Sequence, residues 1–175
     1  FIVGFDNDTP SIFQRQIDFI QKTGIVTAMV GLLQAPTGTR LYERLKKEGR
    51  LLGRMTGDNA DGSTNIIPNN MDADTFREGY KKILRHIYSP ENYYKRIMTL
   101  FKEYKSPKIK GTIKFEHIVG LLNSIYHLGI LGKERSQYWH LLFWTGLHRR
   151  DLFPLAVTLA IYGYHFRKVS NLHVL

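Results

Sequence analysis

Ile25-Val26-Thr27-Ala28-Met29-Val30-Gly31-Leu32-Leu33, running into Gln34-Ala35-Pro36-Thr37-Gly38-Thr39, is the segment from which the architecture follows. It is apolar almost throughout and does not alternate, the pattern of a strand covered on both faces in a parallel sheet. Upstream, Phe1–Phe5 is a shorter apolar run with Gly4 inside it and reads as a second buried strand. Between the two, Asp6-Asn7-Asp8 makes a turn and Thr9 caps a helix with Pro10 at its first position. Phe13, Ile17 and Ile20 follow at helical spacing, and Gly24 ends that helix. Downstream, the turn 34–39 leads into a helix over Arg40–Glu48, with Leu41 and Leu45 inward and Gly49 as its stop. Strand, helix, strand, helix is a βα repeat, and such repeats make parallel sheets.

Farther out the pattern changes. Residues 53–70 form a long polar loop, Gly53 to Asn70, of a kind that is often functional inside a compact domain. Beyond it the period is 3.6. Phe76, Tyr80, Ile83 and Ile87 line a helix starting near Asp72. Ser89-Pro90 opens the next, with Tyr94, Ile97, Met98 and Phe101 inward. After a linker at 106–111, three more helices are expected near Phe115–Leu128, Lys133–Leu147 and Leu152–Lys168. The fold class is therefore an α/β beginning followed by a mostly α-helical region, predominantly helical overall. The expected organisation is 1–52, a loop at 53–70, and a helical part over 71–175.

The chain has 175 residues, 43% apolar and 23% charged, and a mean hydropathy of -0.26, values of a folded domain. Lys and Arg number 25 against 15 Asp and Glu, which favours acidic or anionic partners. The excess is uneven. Residues 1–70 hold eight basic and seven acidic groups, whereas 71–175 hold seventeen and eight. There is no cysteine, which excludes disulfides, thiolate metal sites and cysteine nucleophiles within the chain. The sequence opens Phe-Ile-Val-Gly-Phe without Met or signal peptide, so a fragment of a longer, cytoplasmic polypeptide is expected. Leu152–Phe166, the longest apolar stretch, is too short to span a bilayer.

Candidate chemistry is sparse. Asp6 and Asp8 stand at the carboxyl end of a strand, where parallel α/β folds place ligands; an ordinary turn explains them as well. Asp58-Asn59-Ala60-Asp61-Gly62 fails as a calcium loop, because its ligand groups do not alternate and position twelve is Asn69. No phosphate-binding glycine motif occurs. Thr37-Gly38-Thr39 is either an anion-binding helix start or a tight turn, the turn being favoured. The seven histidines, His140 and His148 among them, have no ligand spacing, and no catalytic or metal residue is expected. Lys102, Lys105, Lys108, Lys110 and Lys114 read as a solvated linker sooner than as an RNA track, so nucleic acid is a disfavoured partner. Tyr138-Trp139-His140-Leu141-Leu142-Phe143-Trp144, followed by Arg149-Arg150 and Leu152–Phe166, fits an interfacial hairpin, a buried aromatic core, or a face that docks on the missing part of the polypeptide.

Ile2-Val3-Gly4-Phe5-Asp6-Asn7-Asp8-Thr9 resembles the fifth-strand segment of radical S-adenosylmethionine enzymes, often I-V-G-[LF]-P-G-E-T, with Asp6 for Pro and Asp8 for Glu. Leu32-Leu33-Gln34-Ala35-Pro36-Thr37-Gly38-Thr39-Arg40-Leu41-Tyr42 is similar to the sixth-strand exit, P-G-T-x-L-Y, with Thr37 for Pro. The loop Gly57–Pro68, Tyr88-Ser89-Pro90-Glu91-Asn92-Tyr93-Tyr94, and the run from Phe153 to Phe166 resemble the members that carry a cobalamin-binding domain and a helical extension after the barrel.

That resemblance implies the last two βα units of an incomplete (β/α) barrel over 1–52. It implies S-adenosylmethionine, a [4Fe–4S] cluster whose cysteine ligands lie upstream, and cobalamin in the parent. The family cleaves S-adenosylmethionine to a 5′-deoxyadenosyl radical that abstracts a substrate hydrogen. By the same resemblance Ile2 and Gly4 would lie by the adenine, with Leu33 and Gln34 approaching it. Asp58, Asn59, Asp61 and Asn65 would form a polar loop toward substrate, with Asp6 and Asp8 on its rim. The expected partners are the missing N-terminal part of the same polypeptide and a small-molecule or lipid-like substrate, with peripheral membrane contact as an option. Alone, the chain is expected to be inert and, with unpaired sheet edges, prone to self-association. The competing reading is a non-enzymatic basic helical module that binds an acidic protein, RNA or an anionic membrane.

Overall fold

The computed structural model describes residues 1–53, 62–106 and 115–173. Two compact units are distinguished. One comprises Phe1–Phe19, Ala28–Ile87 and the end of the chain from Val169; the other comprises Ile20–Thr27 and Tyr88–Lys168.

In the first unit β1 (Ile2–Val3) and β2 (Gly31–Leu32) pair in parallel, Ile2 opposite Gly31 and Val3 opposite Leu32. The Leu33 amide extends the ladder to the Val3 carbonyl at 2.8 Å. Helix α1 (Ser11–Thr23) connects them, and Gly24 at φ 71° closes it in the left-handed region. Both strands are much shorter than the apolar runs Phe1–Phe5 and Ile25–Leu33 suggest. Gly4 at φ 112° turns the backbone out of the extended region directly after Val3. Val26, Ala28 and Val30 are buried without joining the ladder. Their apolar character thus reports burial, which does not require strand pairing.

Helix α2 (Arg40–Lys47) is capped by Thr39, whose hydroxyl accepts the Tyr42 amide at 3.2 Å. Leu45 meets Ala35 and Ile66 in a small core flanked by Leu33, Leu41, Tyr42 and Leu51. An antiparallel bridge between Leu51 and Ile66 returns the chain to that core. Helix α3 (Ala73–Tyr88) starts one residue after Asp72, which is its cap: the Thr75 amide and hydroxyl donate to the Asp72 carboxylate at 2.8 and 2.6 Å. Phe76, Tyr80, Ile83 and Ile87 are buried along one face. Gly79 makes room for Phe13 of α1, since a Cβ there would stand 2.2 Å from the Phe13 ring.

The second unit is helical: α4 (Pro90–Glu103), α5 (Phe115–Ser124), α6 (Arg135–His148) and α7 (Phe153–His173), the last continuing past the unit boundary. Two irregular turns modify the expected pattern. A π turn over Ile125–Ile130 follows α5, and a 3-10 turn over Arg150–Leu152 precedes α7. Pro90 opens α4 as expected, although Ser89 makes no side-chain capping bond. Tyr93, Ile97, Phe101, Tyr138, Leu141 and Ala156 form the buried interior, while Met98 is only half-buried. Of the aromatic stretch in α6, Tyr138, Leu141 and Leu142 are buried and Phe143 is exposed.

Candidate functional site

The residues singled out from the sequence converge, in part, around the carboxyl ends of β1 and β2. Asp8 turns back on the end of β1, one carboxylate oxygen accepting the amides of Gly4 and Phe5, each at 2.9 Å. This holds open the left-handed turn at Gly4, against which the Phe76 ring packs: a Cβ on Gly4 would lie 2.5 Å from the ring. Asp6 leaves the same turn in the other direction and pairs with Arg44 of α2 at 2.5 Å and with Arg50 at 2.9 Å. The Arg44 hydrogen bond, and then that of Arg50, lowers the Asp6 pKa below the usual carboxylate value. Arg50 also reaches Glu48 at 2.9 Å and the Ile67 carbonyl at 3.0 Å. Asn70 donates to the Asp6 carbonyl at 2.7 Å.

At the end of β2, Asn65 is buried and its side-chain amide bonds both backbone groups of Ala35. It accepts the Ala35 amide at 2.8 Å and donates to the Ala35 carbonyl at 2.9 Å, mimicking a strand neighbour. Thr64 donates to the Leu33 carbonyl at 2.6 Å, and Gln34 donates to the Ser63 carbonyl at 3.2 Å. Ile2 is half-exposed, with its carbonyl accepting from Gln16 at 3.0 Å. Asp58, Asn59 and Asp61 lie outside the described residues.

Beside these groups is a cavity of about 300 Å³, at the lower end of small-molecule sites. Its walls are Leu32, Leu52, Ile66 and Phe76, with Thr64 and Arg77 contributing polar groups. Apolar walls with a few polar groups suit a planar or aliphatic ligand carrying a small number of hydrogen-bonding atoms. Among the described residues, no group of three His, Asp or Glu side chains is placed to hold a metal ion.

Sequence reasoning missed Arg50, Thr64, Phe76 as a wall and Arg77. Arg50 meets Asp6 across 44 positions of chain, and no local pattern signals such a pair. Thr64 sits between Ser63 and Asn65 in a polar stretch where nothing distinguishes it.

Residues 39–174 match the family described as a domain of unknown function, DUF4070. Among curated proteins the chain is 31% identical over 170 residues to "Uncharacterized methyltransferase sll1242" of Synechocystis sp., covering 95% of this chain and 32% of that protein. It is 29% identical over 147 residues to "Hopanoid C-2 methylase" of Rhodopseudomonas palustris, covering 79% of this chain and 27% of that protein. The chain thus spans about a third or less of the length of these relatives. No solved structure matches. With the family match running from the start of α2 through α7, the chain belongs to the DUF4070 family.

Proposed function

We propose that this chain is the C-terminal portion of a radical S-adenosylmethionine methylase acting on an apolar, lipid-like substrate. The observation that carries the reading is the cavity beside the parallel βα pair, lined by Leu32 of the second of the two segments that resemble strand exits of that enzyme class and by Phe76, which packs on Gly4 of the first. The methyltransferase and methylase names of the relatives agree with it.

The residues fit the proposed ligands unequally. The cavity admits part of a nucleoside-sized molecule, with Leu32, Ile66 and Phe76 offering apolar contact. The Gly4 amide and both Leu33 backbone groups are already bonded, to Asp8, Val3 and Thr64, and Ile2, Gly4 and Leu33 stand behind the cavity lining and not in it, so their part would be to shape the strands that carry it. Thr64 and Arg77 are polar side chains of the lining, the Thr64 hydroxyl being bonded to the Leu33 carbonyl and the Ile66 amide; Gln34 lies outside the lining and donates to the Ser63 carbonyl. Iron–sulfur ligation does not fit this chain, which has no thiolate to offer. The cluster, and cobalamin if it is used, belong to the remainder of the proposed polypeptide.

Held by the remainder of the proposed polypeptide, a cluster with S-adenosylmethionine would supply the C–H activation. The part played by this chain is positional. Asp8 holds the turn after β1, Asn65 and Thr64 hold the backbone after β2, and the Asp6–Arg44–Arg50 cluster fixes the charge of the rim. In this reading Asp6, Asp8 and Asn65 border the substrate entrance, with Asp8 and Asn65 supporting its backbone, while Asp58, Asn59 and Asp61 lie outside the described residues. The test is anaerobic reconstitution of the full polypeptide with iron, sulfide, S-adenosylmethionine and a low-potential reductant. Formation of 5′-deoxyadenosine and a methylated product is expected, together with about a tenfold rise in KM for S-adenosylmethionine in Thr64→Val. A cluster-loaded polypeptide that forms neither product would overturn the assignment.

A further inference from the structure

Helix α5 and the π turn after it present an apolar stripe to the outside of the second unit. Phe115, Ile118, Leu122, Tyr126, Ile130 and Leu131 are all exposed, Phe115 by 78% and Leu122 by 60%. Scattered exposed apolar residues need no explanation, but a continuous stripe does. The spacing of Phe115, Ile118, Leu122, Tyr126 and Ile130 is three and then repeatedly four. On a pure α-helix, steps of four drift steadily around the axis. The π turn takes more residues per turn, and so keeps Tyr126 and Ile130 in line with Leu122. Its i→i+5 bond runs from the Leu131 amide to the Tyr126 carbonyl at 3.1 Å.

The stripe is not the face by which this element folds. The opposite side carries Ser124, Leu128 and Gly129, all buried. Ser124 and Tyr138 of α6 share a hydrogen bond of 2.7 Å, and Trp139 donates to the Gly129 carbonyl at 3.0 Å. The inner face is thus anchored to α6 by satisfied polar contacts, and the aliphatic and aromatic residues point away from that anchor.

Charge selects the occupant. Among the described residues, Lys102 and Lys105 precede the stripe and Lys133 and Arg135 follow it, all four exposed; Lys108, Lys110 and Lys114, which also precede it in sequence, lie outside the described residues. Of the acidic residues in this stretch, Glu134 is buried and paired with Arg167, leaving Glu103 and Glu116. Protein interfaces are depleted in lysine, whereas a lysine-flanked apolar helix suits an anionic bilayer, the ammonium groups reaching phosphates while the rings and aliphatic chains enter the acyl boundary. Helix α5, Phe115–Ser124, is too short to span a bilayer and suits a helix lying in the interface.

We propose that α5 and its π turn form a membrane-surface anchor that seats this domain on anionic lipid. This goes beyond the methylase reading and rests on it only for the longer polypeptide used in the test, since partition onto vesicles is measured without turnover and its failure is distinct from a failure of methylation. The experiment sediments the full polypeptide with phosphatidylcholine vesicles, with and without about 30 mol% phosphatidylglycerol, at roughly 50 and 300 mM salt. Binding to the anionic vesicles is expected, weakening at the higher salt. Leu122→Gln with Ile130→Gln should reduce it at least about tenfold while leaving the melting curve intact. Met29→Gln, an equally exposed apolar position in the other unit, should leave it unchanged. Absence of binding, or equal binding by the double variant, overturns the proposal. So does a concentration-dependent dimer abolished by the double variant in the absence of vesicle binding, which would seat a second copy on the stripe.

Discussion

Arg96 sits fully buried in α4 between Tyr94 and Ile97, where the helical period alone expects an apolar residue. Its guanidinium donates to the Ile25 carbonyl at 3.0 Å, the Gln21 side chain at 3.1 Å and the Val26 carbonyl at 3.4 Å. Burial pulls its pKa down to about 10, so it still carries its proton at neutral pH. Removing it strands buried carbonyls. Arg96→Met is therefore expected to destabilise the fold by about 2–4 kcal/mol, with Arg96→Lys recovering only part because the three donors of an ammonium share one nitrogen and cannot reach acceptors met here by three separate guanidinium nitrogens. The midpoint of urea unfolding measures both. Asp6 gives a different signature. Its folded pKa lies below the ordinary 3.8, so its stabilisation is present above that value and is lost as pH falls through it toward the depressed folded value. Its carboxylate is about a third exposed, and solvent screening keeps the contribution to about 1 kcal/mol or less. Asp6→Asn should flatten the acid limb of a stability–pH curve and leave the neutral and alkaline limbs parallel to wild type. Neither role shows in the sequence, since each depends on partners far along the chain.

At the scale of elements, helical periodicity was a reliable guide where one face is buried. Phe13, Ile17 and Ile20 in α1 and Phe76 to Ile87 in α3 lie where the spacing put them. It was silent on close approach. Gly163 in α7 faces the ring of Tyr93, whose hydroxyl is held by the Leu159 carbonyl at 2.8 Å, and a Cβ there would stand 2.3 Å from that ring. Gly146 in α6 has nothing within 4 Å of the equivalent position. Helix propensity favours alanine at both by about 1 kcal/mol. Only Gly146→Ala is expected to show that gain; Gly163→Ala should instead lose about 1–3 kcal/mol from overpacking. Thermal unfolding of the two variants side by side should separate them in sign.

At the scale of the molecule, the charge is uneven, eight basic and seven acidic groups over 1–70 against seventeen and eight over 71–175. The α5 stripe lies in the charge-rich part. The sheet of the first unit has two strands, each with one neighbour among the described residues, and a pair this short is marginal by itself. The 175-residue chain prepared alone is therefore expected to self-associate, and to do so less when detergent covers its apolar surface. Sedimentation velocity across a concentration series reads this directly, and a clean monomer throughout would count against it. Among the described residues, no helix is long and apolar enough to cross a membrane.

What the sequence determined by itself is what depends on neighbours in the chain. The order β1, α1, β2, α2 follows from apolar runs and from the stops at Gly24 and Gly49, and the helical remainder follows from spacing. These are short-range consequences of backbone sterics and of one-sided burial. Tertiary structure decided the rest. It reduced the apolar run Ile25–Leu33 to a two-residue strand, spent the Asn65 amide on Ala35, buried Arg96, paired Asp6 with two arginines and turned the stripe of α5 outward. Each of those outcomes depends on which distant groups compete for the same hydrogen bond or the same buried volume, and that competition exists only once the chain has closed on itself.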